Sequence, residues 1–113
     1  MSYQKFQECI EACLDCAIEC ERCSAACLKE QDVKMMVKCI QLDRDCADIC
    51  TVAARLLARV SKHGIHMMKE CAEVCDKCAE ECEKHGQMEH CKVCADACRK
   101  CAEECRNLAT QLA

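Results

Sequence analysis

Eighteen of the 113 residues are Cys, and their spacing is that of a helix face. The first run is Cys9, Cys13, Cys16, Cys20, Cys23 and Cys27, in steps of 4, 3, 4, 3 and 4 residues. At about 100° per residue all six lie within about 40° of one line. Cys71, Cys75, Cys78 and Cys82 repeat the pattern. Cys91, Cys94, Cys98, Cys101 and Cys105 form a third stripe, about 80° wide. A fourth stripe is sparser, with Cys39, Cys46 and Cys50, and Asp43 stands where its next Cys would fall.

As packing alone, so many thiols make little sense, because Ala or Val would fill a seam without the risk of oxidation. Disulfides within a helix are strained: neighbours four residues apart hold their Cβ atoms about 5–6 Å apart, and a disulfide needs about 3.8 Å. Thiol catalysis calls for one exposed Cys of low pKa, and electron transfer for a defined cluster motif. Eighteen near-equivalent thiols offer neither, so the chain reads as a binding protein and not an enzyme. Disulfides between helices are possible but do not require a continuous stripe on every helix, which favours soft metal ions.

Zinc takes four ligands in a tetrahedron, usually from turns. The CxxC pairs here, such as Cys13/Cys16 and Cys20/Cys23, fall inside unbroken helical patterns. Each zinc ion held by four thiolates also carries a net charge of −2, which is costly to stack in a narrow core. The ferredoxin run ending in Cys-Pro is absent, and the chain has no Pro. Cu(I) is satisfied by two or three thiolates, and one ion per thiolate leaves the core neutral. A column of 18 ligands argues for capacity, hence storage or sequestration of multiple Cu(I) ions. A zinc-storage or metallothionein-like thiolate protein is the alternative.

The elements that must carry these stripes are helices. Ala, Glu, Lys, Arg, Met and Leu dominate, and all favour helix. No stretch sustains the period-2 alternation of a strand. Lys62-His63-Gly64 and Lys84-His85-Gly86 read as two helix C-termini, each followed by Gly. Asp32 reads as an N-cap. The spacing predicts helices over about 2–30, 32–63, 65–85 and 87–112, within a single domain covering 1–113. Short connections make consecutive helices antiparallel neighbours. The expected fold is all-α, an up-down-up-down four-helix bundle with a Cys-lined core. Leu, Ile, Val and Phe supply only 19 residues and there is no Trp, so Cys has to fill the interior.

Such a bundle has two different ends. One collects Cys27, Met35, Met36, Cys39, Cys82, His85, Met88, His90 and Cys91, a mixture of thioether, imidazole and thiol that suits Cu(I). His90, Met35, Met36, His85 and Met88 are therefore candidate ligands beside the 18 Cys, and copper is expected to enter there. The other end collects Phe6, Cys9, Cys50, Leu56, Leu57, Val60, Ile65, Met67, Met68, Leu108 and Leu112, an apolar plug. His63 and His66 are left as surface residues. Asp43 faces inward by periodicity.

The four Cys-striped helices, the segment Leu42-Asp43-Arg44-Asp45-Cys46-Ala47-Asp48-Ile49-Cys50 and the motif His90-Cys91-x-x-Cys94 resemble the bacterial copper storage proteins. The resemblance spans essentially the whole chain. It implies a four-helix protomer, a homotetramer, many Cu(I) ions held by Cys, and a copper chaperone as exchange partner. Met1 to Glu8 lack a basic stretch followed by an apolar one, so no secretory signal is expected and the likeness is to the cytosolic branch. The net charge of −4 and mixed charges give no nucleic-acid surface. Without 18 consecutive apolar residues no transmembrane helix is expected, so the chain is placed in the cytoplasm with neither nucleic acid nor membrane as partner.

Overall fold

The computed structural model describes residues 3–112. The chain forms α1 (Tyr3–Cys27), a 3-10 turn (Val33–Met36), α2 (Val37–Ala58), α3 (Gly64–Glu83) and α4 (Glu89–Leu112), with no strand among the described residues. The four helices pack as a ring in which α1 lies against α2 and α4, and α3 against α2 and α4. The bundle is 48 Å long and 18 Å across in both other directions. This is the expected antiparallel four-helix bundle. The expected start of the first helix at Ser2 lies outside the described residues.

Every Cys side chain is fully buried, at 0% exposure, and all 18 are free thiols. Ala residues one step off the seam (Ala12, Ala47, Ala72, Ala79, Ala95 and Ala102) are buried too. Small side chains on both sides of the sulfur column let four backbones approach closely. The outward faces carry the charges, with Arg99 bonded to Asp76 and Glu83 across α3 and α4. Exposed pairs of this kind contribute little to stability.

Beyond the last Cys at each end the same 3/4 cadence continues with other residues. At one end it reaches Phe6, Leu57, Met68 and Leu108, all buried. These large apolar side chains seal the tube at that end. Ile65, Met67 and Leu112 pack against them, while Val60 is exposed. At the other end the cadence reaches Glu30, Met36, His85 and Met88. Met36 and His85 are buried, and Met88 and Glu30 are half-buried.

The helix boundaries correct the expected ones. α1 ends at Cys27 and passes into a tight turn, with Lys29 N donating to Ala26 O and Glu30 N to Cys27 O. Asp32 precedes the 3-10 turn but makes no side-chain capping bond, and α2 begins only at Val37. α2 stops at Ala58, well short of His63. Its terminus is closed by Ser61 N donating to Leu56 O and Val60 N to Leu57 O, the paired bonds of a Schellman motif. The left-handed residue that this motif needs is Val60, at φ 52°.

Gly64 opens α3 and does not end α2, and neither glycine has a positive φ. α3 ends at Glu83, before His85. A Cβ at Gly86 would sit 3.3 Å from the Glu83 carbonyl, so that glycine serves a close backbone approach.

A β-branched residue in the left-handed region is strained. Val60→Gly is expected to stabilise the reduced, metal-free protein by about 1 kcal/mol, read as a Tm higher by roughly 5 °C. An unchanged or lower Tm would mean that position 60 bears no strain. The same wild-type sample should give a helical far-UV circular dichroism spectrum, because helix propensity and Ala/Cys packing favour the bundle. A coil spectrum would count against a preformed tube.

Candidate metal centre

The 4-and-3 spacing turns each stripe inward, and antiparallel packing sets the four stripes face to face. Sulfurs from different helices then meet at van der Waals distance. Near the plugged end Cys9 lies 3.7 Å from Cys105, Cys13 lies 3.8 Å from Cys105, and Cys101 lies 3.7 Å from Cys13. In the middle Cys50 is 3.6 Å from both Cys71 and Cys75, and Cys46 is 3.6 Å from Cys75. Cys16 is 3.6 Å from Cys98, and Cys94 is 3.7 Å from Cys20. Towards the other end Cys39 is 3.6 Å from Cys82.

Donor atoms gather in sets of four that all lie within 4.8 Å of one another. Cys13, Cys71, Cys101 and Cys105 form one; Cys16, Cys46, Cys50 and Cys75 another; Cys16, Cys20, Cys46 and Cys98 a third; and Cys20, Cys78, Cys94 and Cys98 a fourth. The sets overlap: Cys16, Cys20, Cys46 and Cys98 each belong to two. Overlap means shared ligands, and shared thiolates bridge ions into clusters. At a metal–sulfur bond of about 2.3 Å, three thiolates around one ion stand about 4.0 Å apart. The observed separations need little adjustment to reach that arrangement.

At the open end Cys23, Cys27 and Cys91 form a triangle, with sides of 3.8 Å between Cys23 and Cys27, 3.9 Å between Cys23 and Cys91, and 4.0 Å between Cys27 and Cys91. His90 lies over it. Its Nδ1 is 3.7, 3.8 and 3.5 Å from the sulfurs of Cys23, Cys27 and Cys91. The imidazole is half-buried, so one edge meets solvent and the other meets thiols. Burial pushes the Cys91 thiol up to about 12 and also raises Cys27. These thiols are protonated in the metal-free protein near neutral pH, and a soft ion binding there displaces protons.

The other candidates at this end part company. Met36 is buried and Met88 half-buried against the core, whereas Met35 is 63% exposed and points to water. His85 is buried but turned to Glu81, its Nε2 lying 3.2 Å from the Glu81 carboxylate. Glu81 also pairs with Lys84 and Lys38. Glu81 gave no sequence signal, since a Glu beside a Cys stripe looks like any solvated charge.

Asp43 points inward, as its periodicity predicts, at 0% exposure. Its Oδ1 accepts from the thiols of Cys78 at 3.1 Å, Cys94 at 3.4 Å and Cys82 at 3.7 Å, and its Oδ2 from Cys39 at 3.9 Å. Burial pushes its carboxyl up to about 11. It is a neutral acid at physiological pH. Apart from the thiols, Ser24, Asp43, Glu81 and His85 are the buried polar residues, and no Lys or Arg is buried among the described residues.

A family model described as "Copper storage protein" matches residues 2–110. The chain belongs to the copper storage protein family. A cytosolic copper storage protein from Streptomyces lividans carrying five coppers is 43% identical, with a TM-score of 0.91 over 95% of this chain and 93% of that one. The same relative loaded with 10 copper equivalents gives a TM-score of 0.92 at 43% identity, over 95% of this chain and 85% of that one. The Cu(I)-bound copper storage protein BsCsp3 is 42% identical, with a TM-score of 0.89 over 93% of this chain and 98% of that one. A cysteine-rich Bacillus subtilis protein, YhjQ, is 42% identical over 89 residues, 79% of this chain and 82% of its own length. The family's Cys-striped bundle is thus the frame in which the donor sets above sit.

The buried Asp43 yields a stability prediction. Its folded-state pKa lies far above the unfolded value of about 3.9. Below that value both states are protonated and nothing is lost. As pH rises past it the unfolded state sheds the proton and the folded state does not, so stability falls. Asp43→Asn removes this loss. The metal-free variant should melt higher than wild type at pH 7.5, by about 5 °C or more, and the difference should vanish near pH 4. A variant that melts lower at pH 7.5 would show that Asp43 is ionised in the fold.

Proposed function

We propose that this protein stores Cu(I), holding many ions inside the bundle on thiolates. The observation that carries this reading is a column of 18 fully buried thiols, in overlapping sets, with no Lys or Arg buried beside them among the described residues. Thiolates formed there need their charge met on the spot. One Cu(I) for each thiolate does so, while a zinc site with four cysteines of its own leaves −2. The relatives with copper-loaded structures support the same assignment.

The proposed ligands are Cys9, Cys13, Cys16, Cys20, Cys23, Cys27, Cys39, Cys46, Cys50, Cys71, Cys75, Cys78, Cys82, Cys91, Cys94, Cys98, Cys101 and Cys105, with His90 at the mouth. Copper is admitted at the end that holds His90, Met36 and Met88, because the other is closed by Phe6, Leu57, Met68 and Leu108. Met35 offers a solvent-facing thioether outside the mouth. His85, engaged by Glu81, supports the fold there. In this reading the chain is a binding protein and not an enzyme. It works in the cytosol, as the Streptomyces lividans relative does, assembles as a homotetramer and exchanges copper with a chaperone.

Anaerobic titration of the reduced protein with Cu(I) against a competing chelator tests the proposal, repeated with Zn(II). Uptake of about one Cu(I) per thiolate is expected, with far fewer Zn(II). Saturation at about four or five ions, equal for both metals, would replace it with a tetrahedral zinc reading. His90→Ala should slow Cu(I) uptake and leave the final capacity nearly unchanged. Unaltered kinetics would move the point of admission elsewhere.

A further inference from the structure

Glu30 stands three residues past Cys27, where the α1 cadence of 4 and 3 would place one more seam residue. It lies outside the helix, yet its position is fixed. Leu28 N donates to Ser24 O, Lys29 N to Ala26 O, and Glu30 N to the carbonyl of Cys27, the residue whose sulfur forms one corner of the mouth triangle. From this anchored turn the Glu30 carboxylate reaches His90, with its Oε1 3.3 Å from Nε2. The opposite ring nitrogen, Nδ1, is the one that faces the three sulfurs.

We infer that Glu30 is a positioning residue for copper capture, which holds His90 in the tautomer protonated at Nε2 and so aims the Nδ1 lone pair into the Cys23–Cys27–Cys91 triangle. The inference rests on the copper reading above and adds to it a residue that does not touch the ion. A neutral imidazole has one N–H and one lone pair. With the proton on Nε2, the N–H donates to the Glu30 carboxylate. With the proton on Nδ1, the Nε2 lone pair would face the carboxylate lone pairs, which is repulsive, and no lone pair would be left toward the thiols. A carboxylate on the far nitrogen also raises the basicity of the ligating one.

The second histidine at this end gives the contrast. His85 is likewise held by a carboxylate, Glu81, but through a contact four residues back on its own chain, and it is His90 whose free nitrogen joins a donor set. The mouth therefore has one histidine oriented to receive an ion and one committed to the fold. Glu30 decides the orientation of the first. Being half-exposed in a turn, it can be replaced without opening the core.

The test reads the tautomer in the metal-free protein, apart from any copper. In reduced, uniformly 15N-labelled wild type at pH 8, long-range 1H–15N correlations of the His90 ring should show a protonated Nε2 and an unprotonated Nδ1. Glu30→Ala should give a mixture of tautomers, and so should Glu30→Gln, whose amide can donate as well as accept. Both should keep the wild-type circular dichroism spectrum. In chelator competition the first Cu(I) equivalent should bind about tenfold more weakly to each variant, with total capacity unchanged. A wild-type His90 protonated at Nδ1, or a Glu30→Ala protein that keeps the Nε2–H form or the wild-type first-ion affinity, would overturn the inference. A wild type that shows the expected tautomer but takes up no Cu(I) would instead overturn the storage reading on which the copper role rests.

Discussion

The interior of this bundle has no charge of its own to balance a thiolate. All 18 Cys are buried, and no Lys or Arg is buried with them among the described residues. Much of the rest follows. At the mouth, burial holds the Cys27 and Cys91 thiols protonated when no ion is bound. When they ionise, the counter-charge has to arrive as the ion itself, one positive charge for each sulfur. The lack of internal cations therefore selects the cargo as strongly as the softness of sulfur does.

The same constraint shapes how the fold holds together. A seam of Cys buries less apolar area than a seam of Leu and Ile. Compensation comes at the level of spacing: Ala beside the sulfur column lets the helices approach closely, and four large apolar side chains fill the plugged end. Phe6, Leu57, Met68 and Leu108 close the tube there, leaving the end with His90 as the face where donor atoms reach the surface. Polarity along the tube is thus a by-product of where the few large apolar residues are placed.

The stripes and their number were legible in the sequence because a helix turns about 100° per residue whatever its side chains, so spacing alone fixes the face. The inward direction of Asp43 and the contrast between the two ends were legible for the same reason. The helix ends were not. Gly64 and Gly86 carry the usual C-terminal signal, yet the left-handed position belongs to Val60, where the backbone bonds at Leu56 and Leu57 outweigh the residue's own preference. The division of labour between His85 and His90 was hidden as well. It depends on which carboxylate each imidazole meets, Glu81 for His85 and Glu30 for His90, and spacing along the chain does not give those contacts.

The acids on the seam show what a carboxyl can do that a thiol cannot. Asp43 interrupts the α2 stripe at a point where four thiols from three helices converge on it. A fifth sulfur there would add one more weak hydrogen-bond donor with little to receive the others. A neutral carboxyl offers a carbonyl oxygen that accepts and an O–H that donates, and it adds no buried charge to a column that cannot neutralise one. Glu30 stands where the seam meets water, within reach of the His90 imidazole. The cadence supplies the same kind of position in both cases, and burial decides which chemistry the acid performs.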